Sequence, residues 1–233
     1  MEILECKKLL NSEYGINSKC EIYAIHVKID DIENRAIEMI NIISSTSWIS
    51  KLSAIAQRCY SARAERTIQK MVYEIFNKVS TPMSAEFGEY MVSISAQDVL
   101  EERLNHKKIP LAELFKEKVS GNPGFDFHTE TPNDMLAFGE AKYSGTETPY
   151  RKALNQIVGF IKKRKDEMEL VDLEKFANSK TIDNVTNGTK AYSAAFSLNV
   201  KASDKTLKSI LKSKNIKPLL EFPELYLIGV EVG

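Results

Sequence analysis

No run of about 18 apolar residues interrupts this chain of 233 residues, so no helix in it is expected to span a bilayer. The opening stretch MEILECKKLL mixes acids and lysines with no apolar core, so it does not read as a secretion signal. Cysteine is scarce. Cys6, Cys20 and Cys59 are odd in number and lack zinc-ligand spacing. That argues against a disulfide framework and a zinc finger, and points to reduced thiols in a cytoplasmic protein. Low-complexity tracts, linkers and internal repeats are missing as well, which excludes a solenoid. No Ser-His-Asp or Cys-His arrangement stands in a recognisable local context. The turn sequence Gly121-Asn122-Pro123-Gly124 lacks the Lys-Ser/Thr of a phosphate-binding loop, which argues against nucleotide hydrolysis by this chain.

An excess of charge is missing too, because 32 basic residues balance 32 acidic ones. The balance is uneven: −2 over residues 1–100, −3 over 101–150 and +5 over 151–233. The late positive excess hints at a polyanion partner on the C-terminal side. With 43% hydrophobic and 27% charged residues, the chain can bury a sizeable core within one large domain.

What is present reads as alternating elements. Residues 21–30 form a strand by their β-branched and aromatic content. Residues 33–45 and 50–77 have helical spacing, at Ile37, Ile40 and Ile43 and then at Ile55, Ile68, Val72 and Ile75. Ser80-Thr81-Pro82 is a break. Ser84 caps a helix running to about Arg103. A short helix at about 110–118 follows Pro110. Strands are expected at 124–130 and 135–143, a helix after Thr148-Pro149, and further helical structure over 168–177. Residues 178–190 are polar and turn-rich. A strand at 191–200, a lysine-rich helix at 203–213 and the strand ELYLIGVEV close the chain. The order predicts an α/β fold, a mixed sheet flanked by helices. Residues 1–80 would pack as a strand and helices on a core of 81–233.

The stretch GFDFHTETPNDMLAFGEAKYSG, residues 124–145, carries the chemistry. Thr131-Pro132-Asn133-Asp134 supplies turn residues. A hairpin folded about Asn133 sets Asp126 opposite Glu140, with Cβ atoms roughly 5 Å apart. Alternation places Leu136, Phe138, Glu140 and Lys142 on one face. Two facing carboxylates repel each other, and a divalent cation reverses that balance. Mg²⁺ or Mn²⁺ takes oxygen ligands and leaves room for water and phosphate. Lys142, one pleat beyond Glu140, would reach that water or phosphate. The pattern is that of a phosphodiester-cleaving site. Glu-x-Lys alone is common and on an exposed strand is a solvated ion pair; the matched turn, parity and flanking apolar residues distinguish this one. His128 shares the parity of Asp126 but reads first as a structural histidine. Arg58, Arg63 and Arg66 read as solvated, or as facing an acidic partner or nucleic acid.

These residues resemble the PD-(D/E)XK nuclease superfamily, with Gly124-Phe125-Asp126 as the first acid motif and Glu140-Ala141-Lys142 as the second. Phe125 stands where the nominal proline would be. The resemblance implies a restriction-endonuclease-like sheet and a Mg²⁺- or Mn²⁺-dependent DNA nuclease with Asp126 and Glu140 as metal ligands and Lys142 as catalytic lysine. It also implies a helix acid as a further ligand: Glu89 is favoured over Glu86, both in the 84–103 helix. Gln156, with Phe160 four residues on, resembles the Q-x-x-x-Y helix of RecB-like members and would touch a phosphate or orient Lys142. Lys162-Lys163-Arg164-Lys165 ends that helix and is available to backbone phosphates. Within the superfamily, the chain length, FGEYM and GEAKYSG look like the HamA family, the nuclease subunit of the Hachiman anti-phage system. That likeness implies DNA and a HamB-like helicase (ATPase) as partners, and no membrane. A sequence-specific restriction endonuclease and a catalytically idle binding module of the same fold are the rival readings.

Overall fold

The computed structural model describes residues 1–78, 84–116, 124–198 and 203–233, with side chains in all of these except 74–78 and 203–205. In chain order the elements are β1 (Glu2–Lys8), β2 (Glu21–Ile29), α1 (Ile32–Ser44), α2 (Ala54–Lys78), α3 (Ala85–Leu104), β3 (Lys107–Lys108), α4 (Ala112–Phe115), β4 (Phe127–Glu130) and β5 (Leu136–Lys142). They continue as α5 (Tyr150–Lys162), α6 (Lys165–Met168), α7 (Leu170–Leu173), α8 (Ser179–Thr186), β6 (Ala191–Leu198), α9 (Ser203–Leu211) and β7 (Glu224–Val232).

One seven-stranded sheet runs in the order β1-β2-β7-β6-β5-β4-β3. Strands β2, β7, β6 and β5 are parallel to one another, while β1, β4 and β3 join antiparallel at the two sides. The fold is therefore α/β with a mixed sheet. Strands β6 and β7 are buried almost throughout, as expected of central parallel strands covered on both faces. Helix α5 packs Ala153, Leu154, Ile157 and Phe160 against Leu136, Phe138 and Tyr192 on one face. Helices α1 and α3 cover the other, where Met39, Ile43, Met91 and Ile94 meet Phe127, Ala137, Ala141 and Ile228.

The caps follow side-chain chemistry. Asp31, Ser84 and Asn178 accept hydrogen bonds from Asn34, Phe87 and Thr181 backbone N–H groups, opening α1, α3 and α8. Helix α8 corrects the expectation of turns over 178–190. Its Asn178 cap and its buried Thr181 and Val185 outweigh a polar composition. Strand β1 adds to the expected elements: an edge strand of interspersed acids and lysines carries no apolar stripe by which to read it. Helix α2 begins at Ala54, because Ile49–Lys51 forms a 3-10 turn. The helix expected over 110–118 is the four-residue α4 within the described residues. The Ser80-Thr81-Pro82 break and residues 121–123 of the glycine turn lie outside the described residues.

The hairpin has the expected register. Phe127, His128, Thr129 and Glu130 stand opposite Gly139, Phe138, Ala137 and Leu136. Thr131 fixes the turn: its Oγ1 accepts from the Asn133 and Met135 N–H groups, and its own N–H donates to Met135 O at 2.8 Å.

Candidate active site

Asp126 stands one residue before β4 and does not complete the ladder. Its N–H donates to Gly139 O at 2.9 Å, and its carbonyl accepts from Ala112 N–H at 3.3 Å. Its Oδ2 takes the Ala141 N–H, at 2.9 Å, that a ladder partner's carbonyl would have taken. The irregularity also shows in the aromatic packing. Phe125 and His128, three residues apart, both pack on Phe138, with centroids 5.2 and 5.5 Å away. Period-two alternation cannot put both on one face, so the strand is offset between them. The expectation that Asp126 pairs with Glu140 as a ladder partner is corrected. The two meet by side chain.

Glu140 is fully buried, and its carboxyl group meets both Lys142 and the Asp126 side chain. Its Oε1 lies 2.6 Å from Lys142 Nζ as an ion pair. Burial raises the Glu140 pKa well above the usual carboxylate range, and the Asp126 charge raises it further against the pull of Lys142. Asp126 is pushed up to about 6 by loss of solvent and then by Glu113 and Glu89, with Lys142 and the Ala141 N–H acting the other way. Lys142 is held above its usual range. Burial alone would lower it, but Glu140, Asp126 and Glu89 outweigh burial. Its Nζ also donates to Ala141 O at 3.0 Å and lies 3.4 Å from Glu89 Oε1. Acids thus crowd around one ammonium, an arrangement short of positive charge.

Close approach makes this possible. A Cβ on Gly88 would lie 2.1 Å from the Tyr143 ring, so only glycine lets α3 come near enough to the end of β5 for Glu89 to reach Lys142. A Cβ on Gly124 would lie 2.1 Å from Glu169 Oε1. Glu169 is the centre of a buried clamp. It accepts the Phe125 N–H at 3.0 Å, pairs with Lys116 at 2.6 Å and meets His128 Nε2 at 2.7 Å. Lys116 in turn donates to Phe125 O at 3.3 Å. Both backbone polar groups of the residue before Asp126 are therefore held by one ion pair. Burial would raise the Glu169 pKa, but His128 and Lys116 bring it below the usual range. His128 is lowered by burial and by Lys116, so the neutral imidazole is favoured, with Nε2–H donated to the carboxylate.

The predicted residues divide on position. Asp126, Glu140, Lys142 and Glu89 gather at the end of β5, and Glu86 lies exposed elsewhere on α3. Gln156 is half-buried on α5 and makes no hydrogen bond to any of them among the described residues. The buried stripe of that helix points Ala153, Ile157 and Phe160 at the sheet instead. Phe160 packs edge-on to Phe125, 5.1 Å between centroids, beneath the site. The basic run Lys162–Lys165 does end α5, with Arg164 in a left-handed conformation. Sequence reading missed Glu113, Lys116 and Glu169, which lie well away from Asp126 in the chain and carry no local motif.

The donor set suits Mg²⁺. A fully buried carboxylate beside a second acid, with one ammonium for the pair, offers the oxygen ligands that a hard cation takes. Among the described residues no three His, Cys, Asp or Glu side chains form a ready cage, so water and phosphate oxygens would complete the shell. No helix among the described residues is long and apolar enough to cross a membrane.

No curated protein and no solved structure matches the chain. The family model described as HamA matches residues 2–232, essentially the whole chain, and the protein therefore belongs to the HamA family of the Hachiman defence system.

Proposed function

We propose that the protein is a Mg²⁺- or Mn²⁺-dependent deoxyribonuclease that hydrolyses phosphodiester bonds of invading DNA under the control of a helicase partner. The observation that carries the reading is Glu140, a fully buried acid that meets the Asp126 side chain and pairs with Lys142 at 2.6 Å. Asp126 and Glu140 would hold the metal, with Glu89 assisting. Bound there, the ion supplies Lewis-acid chemistry, activating water and offsetting the charge that builds on the phosphate. Lys142 is strongly held as an ammonium, so it acts as a hydrogen-bond donor that positions the water and the scissile phosphate rather than as a base. Asp126, fixed by the Ala141 N–H and the clamp on Phe125, keeps its carboxylate aimed across to Glu140.

The test incubates the purified protein with plasmid DNA and Mg²⁺ or Mn²⁺, with and without the helicase encoded beside it. Cleavage is expected, and Glu140→Ala or Lys142→Ala should lower it by about 10²-fold or more, the scale of losing one transition-state contact. Full activity in the double variant refutes the assignment.

A further inference from the structure

The acidic centre poses an electrostatic problem for any nuclease. Asp126, Glu140, Glu89 and Glu113 repel a polyanion, and the chain as a whole has no net positive charge to draw one in. Beside the acids lies a cleft of about 520 Å³ whose walls invert that sign. Arg63, Arg66 and Lys70 of α2 form one side, with Lys116, Tyr90 and Glu113 across from them. We propose that this cleft is the track along which a single nucleic-acid strand enters the site, its phosphates held by Arg63, Arg66 and Lys70.

Three observations carry the proposal, which rests on the reading of Asp126 and Glu140 as a nuclease site. First, the cleft adjoins the acids. Glu113 lines it and is the strongest-acting acid on Asp126, Tyr90 follows Glu89 in α3, and Lys116 bonds the carbonyl of Phe125. A strand lying in the cleft is thus led to Asp126. Second, residues 63, 66 and 70 are spaced three and four apart, so their side chains share one face of α2. They span about 10 Å of helix axis. At about 3.4 Å per stacked nucleotide that is some three consecutive phosphates. Third, the cations differ in how they are set. Arg63 is anchored by Phe115 O at 3.3 Å and lies over the Tyr60 ring, 5.7 Å from its centroid, while Arg66 and Lys70 are exposed. One anchored guanidinium with two exposed neighbours suits a backbone gripped without sequence readout. The half-buried Tyr90 supplies an aromatic wall for a base. An acidic protein surface would also meet these cations, but it has no need of a passage that leads to the carboxylates.

The test uses the full chain and the double variant Arg66→Glu, Lys70→Glu, two exposed positions whose change leaves the core untouched. Circular dichroism melting checks the fold. Binding to a fluorescein-labelled single-stranded oligonucleotide is followed by anisotropy in EDTA across a salt series. The variant is expected to bind at least tenfold more weakly. Its log K against log salt should be shallower by about 1.4, the release expected from two single-strand phosphate contacts. The milder pair Arg66→Gln, Lys70→Gln loses the same two contacts without adding repulsion, so it should flatten the slope by a similar amount and weaken binding by less. Unchanged affinity and slope overturn the proposal, as does a parent protein that binds no oligonucleotide. Loss of helicase co-purification with unchanged oligonucleotide binding assigns the cleft to a protein partner and overturns it equally. Glu140→Ala, read by plasmid cleavage alone, tests the nuclease reading separately, so failure of one is not mistaken for failure of the other.

Discussion

A carboxyl group that is shielded from solvent and makes no hydrogen bond keeps its proton to unusually high pH. Glu140 is shielded and lies beside Asp126, both of which favour the proton, while Lys142 Nζ, 2.6 Å from its Oε1, favours the carboxylate. Glu140→Gln keeps the shape of the side chain, removes its repulsion with Asp126 and leaves Lys142 the carboxylates of Asp126 and Glu89. In the metal-free protein it should change stability by no more than about 1 kcal/mol, the centre of the range for single substitutions. The response to metal is expected to differ sharply. Mg²⁺ stabilises the parent by binding the folded state, and Glu140→Gln should abolish most of that gain. Differential scanning fluorimetry with and without Mg²⁺ reads both effects. A metal-induced rise that survives in the variant places the ion elsewhere.

Elements bring these residues together, and here the sequence and the fold part company at identifiable points. The hairpin register was legible, because a turn at Asn133 and alternating apolar residues leave one way to fold it. The exit of Asp126 from the ladder was not, since it depends on the distant Ala112 N–H and on Glu169, which local pattern does not encode. Glu113 escaped notice because its four-residue helix carries no periodicity. The clamp makes its own prediction. Glu169→Gln strips the carboxylate from a half-buried Lys116 and a buried His128, which should cost about 3 kcal/mol, the low end of the penalty for breaking a buried pair from one side. The folded-state pKa of Glu169 is depressed, so its contribution is present above the unfolded value. It is lost as pH falls through the lower folded one. Urea unfolding from neutral pH down through about pH 4.3, the unperturbed glutamate value, should show the gap between parent and variant narrowing as acid is added. A gap that widens in acid contradicts the clamp.

At the scale of the whole molecule, the question is whether residues 81–233 stand alone. The sheet argues that they do not. Strand β2 runs parallel to β7 along its full length, from Glu21 beside Glu224 to Ile29 beside Val232. Without it β7, buried at nearly every position, becomes an edge with open N–H and C=O groups and an uncovered apolar face. Helices α1 and α2 also supply Met39, Ile43, Tyr60, Ala64 and Met71 to the two apolar clusters on either side of the sheet. The acids would remain in the fragment, but the cationic side of the proposed strand track, carried by α2, would be gone. Producing residues 81–233 and residues 1–80 as separate polypeptides, alone and then mixed, puts the matter to experiment. The 81–233 piece is expected to bind the dye ANS and to melt without a cooperative transition, and mixing it with the 1–80 piece should restore one. A sharp thermal transition in the isolated piece means that the catalytic half is a self-sufficient domain, with the N-terminal strands and helices an addition to it.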